Sequence, residues 1–241
     1  MNGLRDEGVC IRHWDWSETS QTVSLLTRDH GVVRAIAKGA RREKGPFSGG
    51  IELLTRGEAL WIPRSGDALA TLTAWDLLET SPGARASLEG FYAGSYMIDL
   101  VHHMLTDHDP HPGVFDALVA SLRSLTTLAR EAVLCFQWAL LVEAGYRPSL
   151  GEGALSRSGT LWFSPALGGT RDTPVEGGWG VRAATVELLR RVEGGAAPGE
   201  LGAPPESVDR ASRLLASYIA HIVGAELPSA RACFPGEALA R

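Results

Sequence analysis

Cysteine is nearly absent from this chain. Cys10, Cys135 and Cys233 stand far apart and form no Cys-x-x-Cys pair, which excludes both a disulfide framework and a zinc site built from cysteine. Reduced, buried thiols are the expected state of all three. Lysine is scarcer still, since Lys38 and Lys44 are the only two. No stretch approaches the roughly eighteen uncharged apolar residues that a membrane-spanning helix needs, and Met1 to Glu7 is too polar to open a secretory signal. A cytosolic protein is the expectation. Motifs that carry chemistry are missing as well. There is no Gly-x-Ser-x-Gly nucleophile elbow and no phosphate-binding Walker loop, and Gly151-Glu152-Gly153 lacks the third glycine of a dinucleotide fingerprint. An enzyme finds little support in this chain.

What is present is an ordinary apolar share, 44% of 241 residues, enough for one large domain or two small ones. The net charge of −5 argues on its face against a polyanionic partner. Its distribution argues otherwise. Residues 1–78 hold ten of the 23 Lys and Arg and ten of the 28 Asp and Glu, so the whole deficit falls in residues 79–241. Within the first part, Arg28 to Lys44 carries Arg28, Arg34, Lys38, Arg41, Arg42 and Lys44 against only Asp29 and Glu43.

From Gly8 to Leu78 the pattern is that of short strands separated by turn signals, the signature of a small all-β barrel or sandwich. Five strands fit. They lie near Val9 to Trp16, Gln21 to Thr27, Val32 to Lys38, Ala59 to Ile62 and Leu69 to Trp75. Gly31 suits a tight hairpin after Arg28-Asp29-His30, Gly39 to Gly50 is a loop, and Pro63-Arg64-Ser65-Gly66 is a turn. In the third strand, alternation sets Val33, Ala35 and Ala37 inward and Arg34, Ile36 and Lys38 outward.

At Ser81-Pro82-Gly83 the hydrophobic period changes from two to about three and a half, which predicts a boundary between a β domain over 1–80 and a helical domain over 81–241. Leu88, Phe91, Ile98, Val101 and Leu105 mark the buried face of a first helix, and Val114, Leu118, Leu122 and Leu125 that of a second. Arg130 to Ala144, apolar nearly all round, predicts a third, central helix stopped by Gly145. Residues 146–180, rich in glycine and holding Pro148, Pro165 and Pro174, read as an irregular insertion too long for an ordinary connection. Two amphipathic helices follow, with buried faces Val181, Thr185, Leu188, Val192 and Val208, Ala211, Leu215, Tyr218, Ile222. Gly194 to Pro205 reads as a mobile linker between them.

Two clusters could carry function. His102 and His103 are adjacent on a helix and point about 100° apart, with His108 and His111 in the turn beyond, so the four do not converge on one metal. Solvated or capping histidines are the simpler reading. Arg34, Lys38, Arg41, Arg42 and Lys44 are the sharper signal. A charged run is often only a solvated face, but this one shares its domain with four of the seven tryptophans, Trp14, Trp16, Trp61 and Trp75. Small barrels bind single-stranded nucleic acid with that combination, cations tracking phosphates and flat rings stacking bases. Core packing is the competing role for at least two of the four rings.

Several segments resemble one family. Ser17-Glu18-Thr19-Ser20, Leu26-Thr27-Arg28-Asp29-His30-Gly31 and Ala35-Ile36-Ala37-Lys38-Gly39-Ala40-Arg41-Arg42, leading into Phe47-Ser48-Gly49-Gly50, are similar to the amino-terminal domain of RecO, the bacterial recombination mediator. Glu143-Ala144-Gly145-Tyr146-Arg147-Pro148-Ser149-Leu150, Phe163-Ser164-Pro165, Gly168-Gly169 and Leu227-Pro228-Ser229-Ala230-Arg231 extend the resemblance along nearly the whole chain. It implies an OB-fold barrel followed by an all-helical domain, in a non-enzymatic, cytoplasmic, nucleoid-associated protein of the RecFOR pathway. Such a protein binds single- and double-stranded DNA, anneals strands, and acts with RecR to load RecA onto DNA coated by single-stranded DNA-binding protein (SSB), with a functional link to RecF. A basic barrel on an acidic body fits that role, leaving separate faces for DNA and for protein partners.

The chain departs from the family in one respect. Many RecO proteins carry two Cys-x-x-Cys pairs in the insertion, and the flanking residues put those positions near Gly153, Ser156, Asp172 and Val175, none of them a thiol. A degenerate zinc-finger region without metal or other cofactor is implied, held by Trp162, Phe163 and Trp179 or else loose. An apolar groove rimmed by arginine in residues 84–241 would suit the acidic, apolar-tipped SSB tail. The reading of another class is an adaptor that mainly binds RecR or SSB and has weak DNA affinity. A third is an enzyme using the histidine turn.

Overall fold

The computed structural model describes residues 3–42, 45–47, 50–66, 68–151 and 160–236. The chain opens with β1 (Leu4–Asp15), β2 (Gln21–Thr27), β3 (Gly31–Ala37), β4 (Arg56–Ile62) and β5 (Ala70–Glu79). These five close into a barrel in the order β1-β2-β3-β5-β4. Every pairing is antiparallel except that of β3 with β5, the arrangement of an OB-type barrel. Val23, Leu25, Val33, Ala35, Ala37, Trp61, Leu72 and Trp75 fill its interior, as the period-two pattern of the strands requires.

Past Glu79 the chain turns through Ser81, whose hydroxyl donates to the Leu54 carbonyl, and becomes helical: α1 (Pro82–Ala86), α2 (Leu88–Met104) and α3 (Pro112–Glu143). The two helices expected over 114–144 are one element kinked at Leu128, where the backbone leaves helical geometry. By length and composition α3 could cross a membrane, yet Val133, Leu134, Phe136, Leu140 and Leu141 are all buried in the core, which makes it a core helix.

The expected face of α2 needs correction. Ile98, Val101 and Leu105 are buried, but Leu88 and Phe91 are exposed. The cause is a close approach: a side chain at Gly90 would collide with the Gly83 carbonyl of α1, so the small residues Gly90, Ala93 and Gly94 face inward and the large ones of the first turn face out.

The described residues of 146–180 also hold more regular structure than their composition suggests. They contain most of a three-stranded antiparallel sheet, β6 (Thr160–Ser164), β7 (Gly169–Arg171) and β8 (Trp179–Arg182), in the order β7-β6-β8. Phe163 is fully buried, stacked on Trp179 with centroids 5.9 Å apart and edge-on to Tyr218 at 5.2 Å. Val181 therefore belongs to a strand rather than to the helix after it. The remaining elements are α4 (Ala183–Glu193), α5 (Pro205–Val223) and α6 (Pro228–Cys233). On α5, Val208, Ala211, Leu215 and Tyr218 are buried and Ile222 is half-buried. The linker expected to be mobile, 194–205, is tethered: Leu201 is fully buried, the Leu201 carbonyl accepts from Arg191 at 2.9 Å, and the Gly199 amide donates to Glu131.

Barrel and helices share one core. Val9, Ile11, Leu26 and Val32 lie on the outer face of β1, β2 and β3 and pack into the helical cluster. Around that contact, basic residues of the barrel meet acidic residues of the helical body. Arg12 pairs with Asp99, Arg28 with Asp116 at 2.9 Å, and Arg34 with Asp107 at 2.5 Å, while Arg123 of α3 pairs with Glu79 at 2.9 Å. Hydrogen bonding from Arg28 holds the Asp116 carboxyl below its ordinary range, and Arg123 does the same for Glu79. The charge asymmetry of the sequence is thus partly spent across this junction.

Candidate nucleic-acid interface

A single irregularity decides which tryptophans reach solvent. Between Cys10 and Arg12 the register of β1 against β2 shifts by one residue, the mark of a β-bulge at Ile11. Cys10 points into the barrel, Ile11 into the helical core, and Arg12, opposite Ser24, again points outward. Parity is inverted from there on. Trp14 consequently leaves the barrel and stands 52% exposed, and Trp16, in the turn just past β1, is 65% exposed, whereas Trp61 and Trp75, at 1% and 2%, fill the interior. Sequence alternation alone does not separate these two pairs.

Trp14 lies opposite Thr22, Thr22 opposite Ile36, and Ile36 opposite Thr71. The four form an outward-facing row across β1, β2, β3 and β5. At its far end Arg64, from the turn between β4 and β5, donates from Nε to the Thr71 hydroxyl at 3.3 Å. Arg64 was not a sequence candidate. A lone arginine in a turn carries no signal, and only the pairing of β3 with β5 brings it to this face.

The five basic candidates are divided by the fold. Lys38, expected as the last residue of the third strand, lies instead in the turn just past β3 and is exposed. Next to it the chain bends at Gly39, with the Gly39 amide donating to the Ser20 hydroxyl at 3.3 Å and the Arg41 amide to the Thr19 carbonyl at 3.1 Å. Those bonds fasten the 38–42 segment beside the β1–β2 turn that carries Trp16. Arg41 reaches Asp15 at 2.9 Å, and Arg42 is exposed. Arg34 is set apart: four residues earlier on the same face, roughly 13 Å away at strand rise, it is engaged by Asp107. Lys44 lies outside the described residues.

The histidines do different work. His103 Nδ1 sits 2.8 Å from the Asp99 carbonyl oxygen, the His108 amide donates to the Val32 carbonyl at 3.1 Å, and His111 Nε2 lies 3.3 Å from Asp109. Burial and then the Arg12 charge push the His102 pKa below its ordinary value. Among the described residues no three His, Cys, Asp or Glu side chains are grouped to hold a metal ion. Asp172 and Val175 lie between β7 and β8, and Gly153 and Ser156 are outside the described residues. The three thiols are free, each pushed up to about 12 by burial.

A second concave feature lies on the helical body. A groove of about 510 Å³ between α2, α3, α5 and α6 has Leu88, Tyr92, Val133 and Phe234 in its lining and Arg130 and Arg213 at its edge. Arg130 is shared between Glu89 at 3.0 Å and Asp209 at 2.8 Å, and the Arg213 guanidinium lies over the Phe234 ring, 5.7 Å from its centre.

A closed five-strand barrel with rings and cations on its outer face, fused to a helical body through shared apolar contacts, defines the class: an OB-type barrel protein with an appended helical domain. Comparison with known families narrows this. The model for Recombination protein O N terminal matches residues 1–81 and that for Recombination protein O C terminal matches residues 85–231, so the chain belongs to the RecO family of DNA repair proteins. It is 31% identical to the DNA repair protein RecO of Anaeromyxobacter sp. (strain K) over 96% of both chains. It is 32% identical to that of Myxococcus xanthus over 95% of this chain and 96% of the other. With the RecO of Rhodopirellula baltica it shares 41% identity over 47% of this chain and 42% of that protein.

Proposed function

We propose that this protein is a cytoplasmic, nucleoid-associated recombination mediator that works by binding rather than catalysis. In this reading it holds single- and double-stranded DNA, anneals complementary strands, and acts with RecR to load RecA onto SSB-coated DNA, in functional connection with RecF. The observation that carries it is the basic edge of the barrel: Lys38, Arg41 and Arg42 fastened beside the exposed end of β1, with Arg64 across the same face. Family membership supports the same role. The two-part division, 1–80 for DNA and 81–241 for protein partners, follows the change from strand to helix at Ser81.

The groove between α2, α3, α5 and α6 is the proposed seat of the SSB tail. Its apolar lining suits an apolar tip, and Arg130 and Arg213 suit acidic residues. The adaptor reading, with weak DNA affinity, draws on one specific observation: Asp107 and Asp15 already occupy Arg34 and Arg41.

Salt dependence separates the two. If four or five cations neutralise phosphates, log affinity for single-stranded DNA falls against log salt with a slope of about −3, and Arg41→Ala with Arg42→Ala flattens it by about 1.4 for every sequence alike. An unchanged slope in the folded double variant moves the DNA path elsewhere. Failure of the parent protein to bind DNA leaves the adaptor.

A further inference from the structure

We propose that Trp14 and Trp16 form a stacking platform for unpaired bases, which rests on the DNA-binding reading above and makes two exposed rings the device that distinguishes single from double strands. A tryptophan buries more apolar area than other side chains when it packs, and Trp61 and Trp75 do so in this very barrel. Trp14, near the end of β1, and Trp16, in the turn just past it, are left 52% and 65% exposed and are available to a ligand with flat apolar surfaces.

Their setting selects that ligand. Lys38 and Arg42 are exposed beside the turn that carries Trp16, Arg64 lies at the other end of the Trp14-Thr22-Ile36-Thr71 row, and the nearby carboxylate of Asp15 is held by Arg41. Cations around aromatic rings fit a polyanion with π-faces, which describes a nucleic acid strand. The backbone that carries the rings is also fixed. Trp14 is on a paired strand, and the Trp16 amide donates to the Ser20 carbonyl at 2.9 Å in a turn closed further by Ser17. Little backbone ordering is left to occur on binding.

Base accessibility supplies the strand preference. In a duplex the bases are paired and stacked inside the helix, so their faces are closed to a protein ring, whereas an unpaired strand can open its bases onto Trp14 and Trp16. The cations, in contrast, serve both forms of DNA.

The test compares the full chain with Trp14→Ala, Trp16→Ala and the double variant, measuring affinity at fixed salt for oligothymidine and for a duplex of equal length. Each alanine should weaken oligothymidine binding about fivefold or more and the pair about 25-fold, with duplex binding and the salt slope unchanged. Trp14→Phe and Trp16→Phe should retain most of the affinity, whereas Trp14→Gln and Trp16→Gln, solvated side chains without a ring, should lose it as alanine does and decide the matter if an alanine variant folds poorly. Unchanged oligothymidine binding overturns the platform and leaves the rings to a protein partner. Parallel loss of single- and double-strand binding also overturns it. A parent that binds neither DNA removes the DNA-binding reading itself, a failure distinct from loss confined to the platform.

Discussion

The outer surface of β1, β2 and β3 is one sheet face with two fates. Over Val9, Ile11, Leu26 and Val32 it is roofed by the helices, and the cations at the edge of that roof, Arg12 and Arg34, each meet an aspartate from beneath it. Two residues further along each strand the roof ends. Trp14, Thr22 and Ile36 follow the same alternation, with Lys38 just past the end of β3, and face solvent or stand half-exposed. Neither strand propensity nor side-chain type separates the halves; the reach of α2 and of the segment after it does. A cation or a large ring on this barrel is structural where a helix stands over it and available to a ligand where none does.

The roofed half should be far more sensitive to substitution than the open half. Gly31 opens β3 with φ +69, and a side chain there would meet the Asp109 backbone. Asp107, in the same segment, bridges to Val32. Gly31→Ala should therefore cost about 2–4 kcal/mol by combining backbone strain with a clash against main chain. Chemical denaturation measures this, and a loss below about 1 kcal/mol would mean that the 106–109 segment is not a fixed part of the roof.

Next in size is Arg12→Ala. Asp99 is only 9% exposed; it accepts from Ser229 of α6 and sits 3.4 Å from His103 Nδ1. Removing Arg12 strands a carboxylate in the junction, and because the guanidinium is itself partly solvated the expected cost is about 2 kcal/mol, short of the full penalty for breaking a buried pair. Lys38→Ala, four positions from Arg34 in the open half, should stay within about 0.5 kcal/mol. Equal effects would erase the distinction between the halves.

Alkaline pH probes the interior beneath both. Burial pushes the Cys10 thiol up to about 12, so the folded chain keeps it neutral while the unfolded chain ionises it from about 8.5 upward. A raised pKa means that the folded state holds the proton longer, and stability is therefore lost as pH rises from about 9 toward 12. Melting curves should show a decline approaching 1.4 kcal/mol per pH unit for each such thiol, shared with Cys135 and Cys233. Cys10→Ala should shallow the decline by one thiol's share, and an unchanged slope would show that Cys10 is open to solvent in the folded state.

Much of this architecture is legible in the sequence, and the exceptions have physical causes. Gln21–Thr27 is marked residue for residue because both its faces are buried between turn signals. Leu88 and Phe91 mislead because hydrophobic period registers large side chains, while the inward face of that turn is built from Gly90 and Ala93. The sheet formed by β6, β7 and β8 is hidden by the turn residues that dominate its composition, although its anchors Phe163 and Trp179 are visible. At the candidate interface, Lys38, Arg41 and Arg42 stand out as a run. The bulge at Ile11 does not, since one inserted residue leaves no compositional trace yet decides whether Trp14 points in or out. The aspartates opposite Arg12 and Arg34 lie 87 and 73 residues away along the chain, beyond any local pattern.

The smallest expected effect is also the sharpest test of the boundary between the halves. Asp107 pairs with Arg34 at 2.5 Å while 31% exposed itself, and such a partly solvated pair contributes little to stability. Asp107→Asn should therefore change unfolding free energy by less than about 0.5 kcal/mol. Its consequence for DNA should be a gain. With the carboxylate neutralised, Arg34 on the outward face of β3 is free to meet one more phosphate beside Lys38 at the end of that strand, steepening the log–log salt dependence by about 0.7. The gain should be the same for every sequence, because phosphate contacts position a strand without reading it. Adding Arg34→Ala to Asp107→Asn should abolish the gain. If Asp107→Asn leaves the slope untouched, Arg34 lies off the DNA path whatever its charge state, and the interface ends at Lys38.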